Sequence, residues 1–372
     1  MTPSSPSLQP LACEYCGSTA SLTRCIGCKS VYYCSQAHRQ SHHADHKPAC
    51  EAVGTALAEV IKAEIPYRAA LFNGSPIIGP HGLLPQARKY ASARTEGIWV
   101  LLKHLGQAGG RRHVVETALA QSMELMREVE SSVRELGRFL PSLLLRVGRD
   151  QEAYDFIKGY VTLGHPSPWV HSKLGYLDVK NADVLEYPEF HTDNRVMTWS
   201  DLPSELRPIM LSSLILVKVR VLDDLWNIQN AFRALDGFVV PEILDLIRAH
   251  LLAGALTSRP EILRRSSDDI SALIVQSRTH IMALLDAFEQ YKPTRRRLMG
   301  PGRRVVNARE AEQHDFCSNS SWVETEGALR TLDRAAKLCE TKGGYFSYEY
   351  VISDGRKRLV AKDVAHADPS SS

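Results

Sequence analysis

The chain contains no run of about 18 or more apolar residues, so no membrane-spanning helix and no membrane partner are expected. It also lacks an excess of one charge. Forty-five lysines and arginines face 42 aspartates and glutamates, and the formal balance of +3 does not by itself imply a nucleic-acid or membrane surface. The first twelve residues are rich in serine and proline and have no apolar core of the kind a secretory signal needs. Cysteine is scarce over most of the length: of eight, only Cys317 and Cys339 lie beyond residue 50. No nucleophile–base arrangement stands out, and no catalytic residue is assigned. The remaining composition, 44% hydrophobic and 23% charged over 372 residues, is ordinary for a globular protein with room for one small and one large domain.

The other six cysteines crowd between Cys13 and Cys50, interleaved with histidines. Cys13-x2-Cys16 and Cys25-x2-Cys28 form two pairs, followed by Cys34-x3-His38 and His46-x3-Cys50. An even cysteine count permits disulfides, but x2 pairs mixed with histidines read as metal chelation in a reducing compartment, so the cytosol or nucleus is the expected location. Without a secretory route the sequon Asn319-Ser320-Ser321 is a chance match. Zn²⁺ takes four thiolate or imidazole ligands in a tetrahedron, and a closed site leaves no position for chemistry. Each x2 turn offers two sulfurs to one ion. Residues four apart project from one helical face, so Cys34/His38 and His46/Cys50 supply the other halves. Eight ligands make two structural Zn²⁺ sites, and a stretch of about 38 residues needs the metal in order to fold.

Two pairings are open on spacing. Sequential pairing places Cys13, Cys16, Cys25 and Cys28 on one ion, with a tight loop between the two pairs. Interleaved pairing unites the first pair with the third and the second with the fourth. His42 lies four residues from both His38 and His46 and is the one competitor as a ligand; His42 and His43 otherwise read as helix surface. Tyr32 and Tyr33 read as packing for the small core.

The string C-E-Y-C, then R-C-I-G-C-K-S-V-Y-Y-C-S, then H-x7-H-K-P-A-C, resembles the MYND-type zinc finger. The resemblance implies the interleaved set: Cys13, Cys16, Cys34 and His38 on one zinc, Cys25, Cys28, His46 and Cys50 on the other. It also implies other proteins as partners. His38 stands where the family more often has cysteine, a change zinc accepts. Arg39 and His43 replace a common Gln and Trp that help form the groove in members binding proline-rich peptides, so that specificity does not carry over.

After the finger the pattern is helical. Val53, Leu57, Val60 and Ile61 recur at helical spacing, and Pro66 is expected to end that helix. Residues 72–82, rich in Gly and Pro, read as a loop and domain boundary. Helices are expected at about 84–105 and 111–136, and as two shorter ones within 138–163, the second capped by Asp150. Residues 164–203 read as a long loop, with Trp169, Tyr176, Tyr187, Phe190 and Trp199 packed down on the body. Its acids Asp178, Asp183, Glu186 and Glu189 read as solvated or capping carboxylates in preference to a metal or catalytic set. Residues 210–235 read as a helix buried on most sides, followed by helices near 241–254, 268–290 and 322–341 and one short strand about Tyr345–Tyr350. His104, His113, His165, His250 and His280 show no ligand spacing, and Cys317 and Cys339 read as free thiols.

The expected architecture is therefore mainly α: a disordered stretch 1–12, the two-zinc finger 13–50, a helix and linker 51–82, a large all-helical domain 83–362 of helical-hairpin or solenoid-like grammar, and a disordered tail 363–372. The strings L-P-S-L-L-L-R-V-G-R-D-Q-E-A-Y-D-F-I-K and Y-L-D-V-K-N-A-D-V-L-E resemble fungal MYND-finger proteins with a helical body, which implies architecture and no activity.

Three functions compete, and the features favour the first. The first is a zinc-binding, non-enzymatic adaptor. The second is a nucleic-acid-associated or transcriptional regulator using the basic cluster Arg295, Arg296, Arg297, Arg303 and Arg304, which otherwise reads as a solvated loop or a localisation signal. The third, a lysine methyltransferase with a MYND finger inserted in a SET domain, requires an Asn-His motif. No Asn-His dipeptide occurs, and the finger begins too early to come after the first SET portion.

Overall fold

Helix α2 (His43–Phe72) runs without a break out of the finger and into the body, following the short helix α1 (Gln36–Ser41). A computed structural model describes residues 7–74, 78–79, 82–129, 136–163, 182–186, 190–192, 195–197, 199, 202, 206–235, 241–249, 251–257, 259, 261–297, 316, 319–338, 347–353 and 356–362. Pro66 does not end α2 as expected, although it withholds a donor from the preceding turn. Ala63 and Tyr67 are buried on either side of it, and the Tyr67 ring stacks on Tyr90 at 4.6 Å between centroids. Arg68 then bridges Glu64 and Glu128 at 3.1 and 2.7 Å. Tertiary contacts outweigh the local penalty.

Helix α3 (Pro85–Leu105) starts on a proline at its first turn, where a missing N–H has no helical partner to lose. Its apolar face (Ala87, Tyr90, Ala91, Ile98, Trp99, Leu102) packs between α2 and α4 (Arg112–Glu128). Helix α4 stops at Glu128, short of the expected residue 136, because Val129 takes an extended backbone. Next come α5 (Leu140–Arg146) and α6 (Asp150–Leu163), which pack on each other, with α5 also against α4. Asp150 lies within the first turn of α6, and its carboxylate faces Arg220 and the Gly254 amide.

The centre of the body is α7 (Arg207–Ala234), buried from Ile209 to Phe232 on nearly every side, as expected of a helix with apolar residues all round it. Around it lie α5, α6, α9 (Gly254–Thr257), α10 (Ser267–Arg297) and α11 (Ala328–Leu338), with α8 (Pro241–Ala249) preceding α9. The fold is mainly helical. Strands occur in antiparallel two-stranded pairs: β1 (Thr23–Arg24) with β2 (Tyr32–Tyr33), β3 (Ile78–Gly79) with β4 (Gly82–Leu83), and β5 (Phe190–Thr192) with β6 (Arg195–Met197). The last pair is β7 (Ser347–Ser353) with β8 (Arg356–Lys362), registered Ser347↔Lys362 through Ser353↔Arg356. One strand was expected there; the Asp354-Gly355 dipeptide between the two is the hairpin signal for its partner.

At the other terminus, the disorder expected over 1–12 does not extend to Gln9. Its N–H donates to the Gly110 carbonyl at 2.8 Å, and its own carbonyl accepts from the Arg112 N–H at 2.8 Å. Met1–Pro6, the tail 363–372, Trp169, Tyr176, Asp178, Tyr187, Glu189, His165, His250, Cys317, Cys339, Arg303 and Arg304 lie outside the described residues.

Arg146 and Glu324 form a buried ion pair inside the body. Arg146 donates to Glu324 through Nε at 2.8 Å and Nη2 at 2.7 Å, with 1% and 4% of the two side chains exposed. It also donates to the carbonyls of Gly106 (2.7 Å) and Gln107 (3.0 Å), while Glu324 accepts the Gly109 N–H at 3.0 Å. The α3–α4 turn is thereby fixed from the inside. Glu324→Gln leaves the guanidinium without its countercharge and is expected to lower unfolding stability by about 3–5 kcal/mol, read by urea titration of the zinc-loaded chain.

Lys218 is buried on α7 beneath Val184 and Glu186. Its ammonium donates to the Val184 carbonyl and, at 2.8 Å, to that of Glu186, and lies 5.3 Å from the Tyr154 ring centre. Burial pushes its pKa down from 10.5 to about 7, with Glu186 and Asp183 opposing. The unfolded chain then holds this proton more tightly than the folded one. The stabilising contribution of the neutral amine is full above pH 10.5 and is lost as pH falls toward 7. Denaturant titrations between pH 7 and 10 should show wild-type stability rising with pH, and Lys218→Met should lose that slope.

Candidate metal centre

Two zinc knuckles are built the same way. After Cys13-x2-Cys16, Gly17 takes φ +74° and donates its N–H to the Cys13 carbonyl at 2.9 Å. After Cys25-x2-Cys28, Lys29 takes φ 54° and donates to the Cys25 carbonyl at 3.0 Å. Left-handed backbone turns the chain back so that both sulfurs of a pair face one point. Glycine meets that demand at the first knuckle, and at the second a lysine is held in it. The β1–β2 pair, extended by the Cys25 N–H to the Val31 carbonyl at 2.7 Å, carries the chain to Cys34. Ser35 caps α1 by accepting the His38 N–H at 3.2 Å, which points His38 back toward Cys34.

Cys13, Cys16, Cys34 and His38 converge in one cluster and Cys25, Cys28, His46 and Cys50 in another, with the ligand atoms of each within 4.8 Å of one another. A tetrahedron with the usual zinc bond lengths separates two sulfurs by about 3.8 Å and a sulfur and a nitrogen by about 3.6 Å. Cys16 Sγ and Cys34 Sγ are 3.6 Å apart, Cys25 Sγ and Cys50 Sγ 3.7 Å, and Cys28 Sγ and His46 Nε2 3.5 Å. His38 presents Nδ1, 3.9 Å from Cys13 Sγ and 3.0 Å from Cys34 Sγ.

The donor chemistry fits as well. Burial first, then the charges of Cys25 and Cys50, push the Cys28 thiol up to about 12. Burial and the same-site sulfurs of Cys16 and Cys13 push Cys34 up to about 11. Burial acts the same way on Cys13, but backbone donors from Cys34, Cys16 and Tyr15 outweigh it and bring the thiol to about 6. Gathering thiolates is opposed by their mutual repulsion, which a divalent cation removes. Burial, with the His42 charge second, holds His46 below the usual imidazole range, which favours the neutral form a metal requires. The two clusters fit two structural zinc ions in the interleaved arrangement.

His42, the competing ligand, is in neither cluster. Its Nδ1 lies 3.0 Å from the Tyr33 hydroxyl, and its ring stacks on His46 at 5.9 Å. Tyr33 is buried and Tyr32 half-buried, as packing for the finger. Arg39 is half-buried and His43 exposed on the outer side. Of the acids singled out in sequence, Asp183 pairs with Arg259 at 2.6 Å and accepts the Leu185 N–H. Glu186 accepts from the Tyr154 hydroxyl at 2.6 Å and pairs with Lys158 at 2.9 Å. Both tie segments of the body together.

Sequence reasoning passed over Gly27 and His113. A Cβ on Gly27 would lie 2.7 Å from Cys50 Sγ, so the tip of the second knuckle tolerates only glycine against its partner ligand. His113, one of the scattered histidines, places Nε2 2.8 Å from the Ser30 carbonyl just past that knuckle. Knuckle spacing points to the glycine; nothing local points to the histidine.

Fold and ligands define a cross-braced two-zinc finger joined to a helical body. A family model described as MYND finger matches residues 13–50, about a tenth of the chain. No curated protein and no solved structure matches the chain. Among the described residues no helix is long and apolar enough to cross a membrane.

The close approach at Gly27 generates a test that spares every ligand. The chain should carry two zinc ions by native mass spectrometry, and Gly27→Ala should lose the one held by Cys25, Cys28, His46 and Cys50 while keeping the other.

Proposed function

We propose that this protein is a non-enzymatic adaptor that uses its MYND finger, presented on a helical scaffold, to bind other proteins inside the cell. The observation that carries the reading is coordinative: each cluster supplies four protein ligands, so a bound zinc has no open position for a substrate or an activated water. The metal then acts by holding a surface in shape. That surface includes the knuckle side chains Tyr15, 54% exposed and 5.0 Å from the His38 ring on α1, and Ile26, 75% exposed. Exposed apolar side chains on a rigid support are the usual raw material of a protein contact. The carboxylates Asp183 and Glu186 support the reading by being engaged in structural pairs.

Affinity purification followed by quantitative mass spectrometry should recover partners with the wild-type chain that are lost with the Cys25→Ser/Cys28→Ser variant. An unchanged partner set after loss of that site would remove the finger from the function. Methyl transfer from S-adenosylmethionine to a protein substrate by the purified chain would overturn the non-enzymatic reading altogether.

A further inference from the structure

We infer that Arg111 and His113, which lie outside the matched finger, are positioning residues for its two zinc sites, and that through them the finger and the helical body form one metal-dependent folding unit.

The first knuckle is held by Arg111. Its Nε donates to Glu14 Oε2 at 3.0 Å, Nη1 to the Pro10 carbonyl at 3.2 Å, and Nη2 to the carbonyl of the ligand Cys13 at 3.5 Å. The ion pair is partly buried, with 19% and 33% of the two side chains exposed, so solvent screens it less than a surface pair. The second knuckle is held by His113, whose Nε2 meets the Ser30 carbonyl while its ring stands edge-on to Tyr32 at 5.1 Å. Between these two grips, Gln9 pairs with Gly110 and Arg112 through backbone bonds. Four consecutive residues, Gly110 to His113, therefore touch the approach to the finger, the first knuckle and the residue just past the second.

The same turn is fixed on its other side. Arg146 donates to the Gly106 and Gln107 carbonyls, and Glu324 accepts the Gly109 N–H, within a buried ion pair. A second rigid link runs in parallel. His46 and Cys50 sit in the first turns of α2, whose 30 residues make a rod of about 45 Å. Ala63 and Tyr67 on that rod are buried, and α2 packs along α3. The knuckle backbone is thus fixed from the body, while the metal fixes the knuckles against α1 and α2. Residues that orient metal ligands commonly change metal affinity by about 10–100-fold when removed. By linkage, metal that stabilises the finger also stabilises whatever folds cooperatively with it.

The test uses the full-length zinc-loaded chain and measures zinc transfer to a chromogenic chelator together with amide hydrogen exchange. Arg111→Ala and His113→Ala should each release zinc 10–100-fold faster, with α7 protection unchanged. Arg111→Lys, which keeps the charge opposite Glu14 but not the fork on the two carbonyls, should fall between wild type and Arg111→Ala. Arg127→Ala, an exposed residue at the far end of α4, should match wild type. Stripping zinc from the wild type should lower protection across α3 and the first turns of α4. Release from the double Arg111→Ala/His113→Ala variant within twofold of wild type would overturn the proposal, as would unchanged protection of α3 and α4 in the zinc-free chain. Should the double variant not fold, Glu14→Gln removes the ion pair alone, and wild-type release from it is the overturning result.

Discussion

The structure depends on a geometric constraint: ligands for two metal clusters must be delivered from four separate pieces of chain, with only the short β1–β2 pair and a few buried side chains such as Val31, Tyr33 and Val53 between them. Two pieces are tight knuckles, set by left-handed backbone at Gly17 and Lys29. The third is the capped start of α1, and the fourth is the opening of α2. Because α2 continues into the body, the second cluster is rooted in the packing of Ala63 and Tyr67 against α3 as much as in its own four ligands. A zinc cluster of this kind closes a short segment through strong local bonds, and the long helix gives that segment a fixed direction.

The body solves a different problem. Helix α7 is buried on nearly all sides, yet it carries Lys218, Arg220 and Asp224 within that environment. Each is satisfied. Lys218 meets two backbone carbonyls, Arg220 meets Asp150 and the Leu145 carbonyl, and Asp224 accepts the N–H groups of Leu252 and Ala253. Apolar packing alone would leave the relative rotation of these helices loosely specified. Buried polar groups with single geometric solutions act as registration marks, and removing one partner strands the other at high cost. Arg146 and Glu324 extend this logic outward, since they fix the turn that meets the finger.

Much of the molecule is readable from local pattern because local chemistry determines it. Ligand spacing follows from the metal's tetrahedron and, for His46/Cys50 on α2, from the pitch of a helix. Cys34 stands before the α1 cap Ser35, so it meets His38 across the cap and not from one helical face as the spacing suggests. An apolar stripe marks α4, and a dense apolar content of mixed spacing marks α7. The readings fail where distant contacts override a local rule. Pro66 breaks nothing because Tyr67 and Arg68 are held across α2, α3 and α4. Val129 leaves the helix although apolar spacing runs on. Asp150 is drawn to Arg220, 70 residues away, in place of a capping role. The partner strand β8 was missed because its charged residues masked the hairpin signal of Asp354-Gly355.

Sequence alone determined the identity of the eight metal-ligand candidates and the helical character of the body, because coordination spacing and hydrophobic period are properties of neighbouring residues. It left two zinc pairings possible by spacing, and only tertiary structure decided between them by bringing Cys34 and His38 to the first knuckle and His46 and Cys50 to the second. Tertiary structure likewise gave His113 a role that no spacing reveals, at the Ser30 carbonyl 83 positions earlier in the chain. A hydrogen bond between such distant residues leaves no periodic trace. It exists only after the helices have placed its two ends within 2.8 Å.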